Sequence, residues 1–417
     1  MFVKLILITL LAVTSIFAFE NSFGTDGYIR MQTTFDDKKA NVCFKALGAG
    51  SKYRLGNECE TWLEIAVFQD LVLDSGVKIH NQVRAIFTAP NNEKPDFLRF
   101  DEAYSEVSNL FDNSVSFWIG RRFYKRYDSF LDDYFFFNLS GDGLGINNLD
   151  LGEVKLSYSF MYNEVNPTVV NGEEDVFFQS HDLRFEKATN RGDITLFLNY
   201  MLLNAKSFNA AQRVDRADGY AVGVVYKDKE ITKELINMKG ENITGIFYGT
   251  GLARGAGTYS PYLQESLIDD MITTSNSIDN SKTFRFINYN GFENNSIGIM
   301  SNVVYEYKDD REFANIKQNW YSIGVRPYLF FSKNFRVMAE LGYDLVDDMA
   351  QDKTYNLTKF TTALEFALER GIWERPVVRL FYTKASWNES SKGQVGTDYY
   401  ADKTDGDTVG IQLEYWW

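Results

Sequence analysis

Cysteine, proline and histidine are nearly absent from this 417-residue chain, at 2, 6 and 2 residues. Two cysteines cannot build a disulfide-rich scaffold or a four-thiolate metal site. His80 and His181 sit in neither a nucleophile pattern nor a metal-ligand spacing, so no catalytic or metal centre is expected. Carboxylate pairs such as Asp132 with Asp133 read as loop or solvated-face residues. No P-loop or dinucleotide fingerprint precedes a helix, and no cofactor is implied. Basic residues are also in deficit: 43 Lys plus Arg stand against 57 Asp plus Glu, a net charge of −14. That balance excludes nucleic acid as a partner, because phosphates need a basic surface. Beyond the first stretch, no apolar run of about 18 residues exists, so no spanning helix is expected there.

The first stretch is different. Lys4 precedes the apolar run Leu5 to Phe17, which ends in Ala18. One basic residue, an apolar core and a small residue read as a secretory signal, with cleavage expected after Ala18. Residues 19–417 would then form a single mature domain of 417 − 18 = 399 residues. An exported chain without helices that span is either soluble or a closed β-barrel, because hydrocarbon leaves no other way to bond every backbone group.

Alternation favours the barrel. Ile411, Leu413, Tyr415 and Trp417 share one parity, and Gln412, Glu414 and Trp416 the other. Ile29 and Met31 oppose Asp26, Tyr28, Arg30 and Gln32. Val154, Leu156, Tyr158, Phe160 and Tyr162 oppose Glu153, Lys155, Ser157 and Ser159. Similar segments surround residues 194–200, 299–306 and 336–344. Polar stretches at 91–96, 172–175, 273–282 and 401–407 read as loops. At about 22 residues per strand and connection, 399 residues give roughly 18 strands, within the range of membrane barrels. The 16% aromatic content then has a simple cause, since such barrels carry aromatic girdles at both interfaces.

Some aromatics fall on the wrong face for a girdle. Tyr28, Trp62, Phe197, Trp373 and Trp416 share parity with charged or polar neighbours and are expected to face the lumen. Their faces suit the C–H surface of a pyranose, and paired charges suit its hydroxyl rim. Packing of an inward loop is the alternative, and parity alone does not separate the two.

Three blocks resemble the maltoporin family of carbohydrate-specific outer-membrane porins. These are Ser51-Lys52-Tyr53-Arg54-Leu55-Gly56-Asn57-Glu58-Cys59, preceded by Cys43; Gly120 to Asp128 with Ser140 to Gly145; and Ile372-Trp373-Glu374-Arg375-Pro376 with the Gln412-to-Trp417 end. The resemblance implies an all-β, 18-stranded antiparallel barrel in the outer membrane of a Gram-negative bacterium. It also implies a homotrimer and an inward third loop, here about residues 126–148. It carries an aromatic slide onto Tyr28, Trp62, Trp373 and Trp416, and a polar track onto Arg30, Arg54, Glu64, Arg126, Asp128 and Asp133. Salt-bridge anchoring of the loop is the competing role for Arg126 and Asp128. Phe135 takes the place of a constriction Tyr, Phe97 or Phe100 would have to replace a missing second-loop Trp, and Arg99 or Asp101 aligns with a further track Arg. Thr244 falls where an aromatic is usual, with Tyr248 on the same parity. Cys43 and Cys59 are expected to form a disulfide that pins the first extracellular loop.

The expected function is passive diffusion of sugars, maltose and maltodextrins first, through a non-enzymatic porin. The alternative is a general diffusion porin with weak cation preference.

Overall fold

The computed structural model describes the chain except for residues 1–18, 36–41, 91–96, 111–113, 171–174, 210–211, 232–236, 260–261, 275 and 397. The signal segment and the 91–96 loop therefore lie outside the described residues. The strands are β1 (Phe19–Thr34), β2 (Glu60–Leu73), β3 (Lys78–Pro90), β4 (Phe97–Ser108), β5 (Ser116–Arg122), β6 (Tyr127–Ser129), β7 (Tyr134–Leu139) and β8 (Gly141–Asp150). They continue with β9 (Lys155–Val165), β10 (Val176–Ala188), β11 (Gly192–Leu203), β12 (Lys206–Ser207), β13 (Arg213–Val214), β14 (Ala217–Asp228), β15 (Lys239–Thr250) and β16 (Thr258–Tyr259). The remainder are β17 (Lys282–Glu293), β18 (Ile297–Asp310), β19 (Ile316–Phe330), β20 (Phe335–Asp348), β21 (Lys353–Ala367), β22 (Val377–Trp387) and β23 (Asp405–Trp416).

Eighteen strands make one sheet, each paired antiparallel with its neighbours in chain order once the five short strands β6, β7, β12, β13 and β16 are set aside. The sheet closes because β1 pairs with β23 as well as β2, with Tyr28 opposite Trp416 and Arg30 opposite Glu414. Closure removes the strand edges that would otherwise template aggregation. Among the described residues no helix is long and apolar enough to cross a membrane.

The alternation read in the sequence is the inside–outside alternation of this wall. Ile411, Leu341, Leu196 and Val303 are exposed on the outer face, whereas Gln412, Glu340, Thr195 and Asn302 are buried inside. One end of the barrel carries short turns, such as 74–77, 151–154 and 294–296; the other carries the long loops. Outward Tyr200, Tyr220, Tyr321, Tyr343 and Tyr382 ring the upper part, and Phe331, Phe366 and Trp417 the lower, each at least one-third exposed.

Two loop expectations need correction. The stretch 273–282 is not all loop: α1 (Tyr262–Thr274) runs through Thr274, and Lys282 already belongs to β17. Likewise β23 begins at Asp405, inside the stretch 401–407. In both places polar residues belong to ordered elements that reach above the apolar band, where composition no longer separates strand from loop.

Candidate functional site

The interior is narrowed by two inward loops. The third loop is shorter than expected. It runs from residue 123 to residue 140, because residues 141–148 are barrel strand β8, paired with β5 and β9. Its β6–β7 hairpin leans on the wall, and β7 forms a short parallel pair with β16. Phe136, Phe137, Leu131 and Leu139 are fully buried. Phe137 packs on Phe197 at 4.4 Å and Phe247 at 5.8 Å. Wall arginines hold its backbone: Arg184 Nη1 donates to Lys125 O at 2.9 Å, Arg285 Nη1 to Phe136 O at 3.1 Å, and Arg326 Nη2 to Leu131 O at 3.1 Å.

The first loop is also inside the barrel, not at its mouth. Cys43 and Cys59 form the expected disulfide. Between them, Phe44, Tyr53, Leu55, Asn57 and Glu58 are at most 1% exposed. Tyr53 lies flat on the wall where Gly324 and Gly342 leave room; a Cβ at either would fall 2.0 Å from its ring. Its hydroxyl meets Ser322 Oγ at 2.7 Å and donates to Asn302 Oδ1 at 3.2 Å. The two loops are tied together, with Lys52 N and Arg54 N donating to Asp132 O and Leu131 O, both at 3.3 Å. Ser51 Oγ donates to Asp132 Oδ2 at 2.9 Å.

What remains open beside the loops is a cavity of about 580 Å³. Tyr28, Arg30, Arg54, Trp62, Glu64, Arg126, Asp128, Asp133, Phe135 and Trp416 all border it. Tyr28 and Trp416 stack at 6.4 Å and 27° across the β1–β23 seam. The Tyr28 hydroxyl donates to Glu414 Oε1 at 2.8 Å and accepts from Arg54 Nη2 at 2.6 Å. Trp62 Nε1 donates to Glu64 Oε1 at 2.8 Å, and the guanidiniums of Arg30 and Arg99 each lie 5.4 Å from its ring centre. Trp373 does not border the cavity. It belongs to the 368–376 turn and packs edge-on against Phe130 at 5.5 Å.

The track charges divide into two kinds. Arg30 donates to Asp133 Oδ2 and Glu60 Oε1, both at 2.6 Å. Arg54 donates to Glu58 Oε1 at 2.7 Å and Glu414 Oε1 at 3.0 Å. By contrast, the Arg126 and Asp128 side chains make no ion pair or hydrogen bond among the described residues. Arg126 is sandwiched by rings instead, 3.6 Å from the centre of Phe123 and 5.0 Å from that of Phe135. Burial pushes the Asp128 carboxyl up. Burial also opposes ionisation of Asp133, but Arg54 and Arg30 outweigh it and hold that carboxyl below its ordinary value.

Several aromatics take other places than expected. Phe197 faces inward but is 0% exposed beneath the third loop, so it packs rather than lines. On β15 the inward aromatic is Phe247, and Thr244 and Tyr248 point outward, because Phe247 has the buried parity. Phe100 is 53% exposed on the outer face, and the Phe97 side chain lies outside the described residues. Of the two ambiguous positions, Arg99 and Asp101 both border the cavity and pair at 2.7 Å. Phe130 was missed. It shares the i, i+2, i+4 spacing of Arg126 and Asp128, which was a usable signal.

Chemically, this is a passage with stacking faces, an uncommitted donor fork and an uncommitted carboxylate. Among the described residues no group of three His, Cys, Asp or Glu is placed to hold a metal. The LamB porin family model matches residues 23–417, and the chain belongs to that family. Solved structures match the fold at low identity. The outer membrane channel DcaP of Acinetobacter baumannii is 10% identical, with 95% of this chain and 97% of that one covered and a TM-score of 0.53. A BenF-like porin from Pseudomonas fluorescens Pf-5 is 9% identical, with coverage of 96% and 98% and a TM-score of 0.50. The protein is therefore an outer-membrane porin, a multi-pass β-barrel with its short turns on the periplasmic side.

Proposed function

We propose that this member of the LamB porin family is a sugar-selective channel, with maltodextrins the first candidates. The observation that carries the reading is the pairing of an aromatic line, Trp62, Tyr28 and Trp416, with the unpartnered Arg126 and Asp128 on one cavity. A pyranose stacks its C–H face on the rings, while vicinal hydroxyls accept from the Arg126 fork and donate to Asp128. Each step along the line exchanges like for like, so solute passes down its gradient without being trapped. The reading also takes residues 1–18 as a removed signal.

The same reading includes a homotrimer. Among the described residues of β1 to β5, no Tyr or Trp points outward, whereas the rest of the wall carries them. A face whose outward aromatics are Phe, without the amphipathic Tyr and Trp, suits contact with other copies better than contact with lipid.

The test is ion current through purified protein in planar bilayers while maltooligosaccharides are titrated. Saturable block that strengthens with chain length is expected. Stepwise conductance without block would leave a general porin and sink the sugar reading.

A further inference from the structure

The outer rim of the barrel pairs its charges unevenly. At the extracellular end of β17 to β19, three outward positions lie in register: Lys282 opposite Asp309, and Asp309 opposite Lys317. They share parity with Phe284, Val303, Tyr321 and Ile323, each at least 37% exposed on the outer face. Asp309 is already committed. Arg311 donates to it through Nε at 2.8 Å and Nη2 at 3.0 Å, and the Tyr307 hydroxyl donates at 3.1 Å. The Lys282 and Lys317 side chains make no ion pair or hydrogen bond among the described residues. By contrast, outward Lys384 on β22 is paired with Asp405.

Beside Lys282 lies a cavity of about 420 Å³, lined also by Asn280, Asp309, Arg311 and Glu312. Its second carboxylate, Glu312, accepts from Asn280 Nδ2 at 2.8 Å. Three cations against two carboxylates leave this patch locally positive in a chain of net charge −14. Below the row the wall turns aromatic and then apolar. The rings of Phe284 and Tyr305 are 6.1 Å apart and those of Tyr305 and Tyr321 5.1 Å, with Val303 paired to Ile323 beneath them. Cations above a belt of amphipathic rings, on the outer face of the wall, lie at the depth of lipid headgroups. Lys282 and Lys317 are two strand spacings apart, about 10 Å between backbones, a gap that two lysine side chains close around one phosphate.

We propose that Lys282, Lys317 and the cavity beside Arg311 form a docking site for a phosphorylated lipid headgroup of the outer leaflet, whose acyl chains run down over Val303 and Ile323. A soluble anion gains the two charges without the apolar strip, and an unphosphorylated lipid gains the strip without the charges. The inference is independent of the sugar reading above.

The experiment measures binding of diphosphorylated lipid A, of the same lipid with its phosphates removed, and of inorganic phosphate to the purified porin, by native mass spectrometry at low salt. The proteins are the wild type and the double variant Lys282→Gln, Lys317→Gln. Lipid A should bind the wild type roughly thirtyfold more tightly than the double variant, two surface cations' worth. The dephosphorylated lipid should bind both proteins equally and weakly. Equal binding of lipid A to both proteins would overturn the proposal. Dephosphorylated lipid bound by the wild type as tightly as lipid A would reduce the patch to ordinary apolar wall and overturn it too. Inorganic phosphate bound as tightly as lipid A would mark an adventitious ion only and overturn the lipid assignment. If the double variant fails to fold, Lys317→Gln alone decides: about a fivefold loss sustains the proposal, and no loss overturns it. Sugar block in planar bilayers should be the same in wild type and variant, so this site and the sugar reading fail separately.

Discussion

Two walls of the same lumen use charge in opposite ways. Along β19 to β23, beneath the first loop, the buried basic side chains pair with glutamates: Arg326 and Lys359 share Glu340 at 2.5 Å and 2.7 Å, Arg336 and Arg379 share Glu365, and Arg375, Arg379 and Arg54 converge on Glu414. These side chains are at most 7% exposed. Around the 580 Å³ cavity, Arg126 and Asp128 are left without partners. A paired, buried charge holds the loops in place and has nothing left for a solute. An unpaired charge contributes little to the fold and keeps its hydrogen-bonding capacity for what passes. On the proposed reading, the difference in pairing separates the charges that build the pore from those that meet the solute.

Breaking the paired wall should have the largest effect. Glu340→Gln leaves Arg326 and Lys359 buried and uncompensated, a loss of about 3–5 kcal/mol; the folded barrel should melt markedly earlier in thermal denaturation followed by circular dichroism. Reducing the Cys43–Cys59 bridge, which spans 16 residues, should cost about 3 kcal/mol and raise open-channel current noise as the first loop loosens.

On the other wall the ranking between stability and function inverts. Asp128→Asn, which breaks no ion pair, should cost far less stability than Glu340→Gln, yet weaken saturable sugar block about tenfold, the worth of one charge-assisted bond. A stability loss comparable to that of Glu340→Gln would erase the distinction between the walls.

The smallest expected effect sharpens the junction of the two loops. Burial pushes the Asp132 carboxyl up to about 7. Its folded value is thus above its unfolded one, so its contribution is fully present below about pH 4 and is lost as pH rises through about 7. Between pH 6 and pH 8 the loss is on the order of 1 kcal/mol. Melting temperature measured across that window should fall for the wild type and fall less for Asp132→Asn.

Parity was sufficient to place the barrel faces because one wall separates lipid from lumen along every spanning strand. It placed Tyr28, Trp62 and Trp416 on the cavity and the apolar partners outside. It could not say which inward aromatics are covered. Phe197 and Trp416 read alike in sequence, but the third loop rests on one and leaves the other open. Nor could it show the first loop inside the barrel, because the groove for Tyr53 is made by Gly324 and Gly342, more than 250 residues away in the chain. The end of the third loop was misjudged for a similar reason: glycine-rich β8 reads as loop until its pairing with β5 and β9 is known.

The β1–β23 seam runs through the working part of the channel. Tyr28 and Trp416, neighbours across it, come from opposite ends of the chain, and Glu414 anchors both Tyr28 and Arg54. On the proposed sugar reading, the selective element therefore does not exist until the last strand finds the first. A barrel stalled before that step is not a leaky version of the finished channel but one with no filter at all, so assembly and selectivity are completed by the same contact.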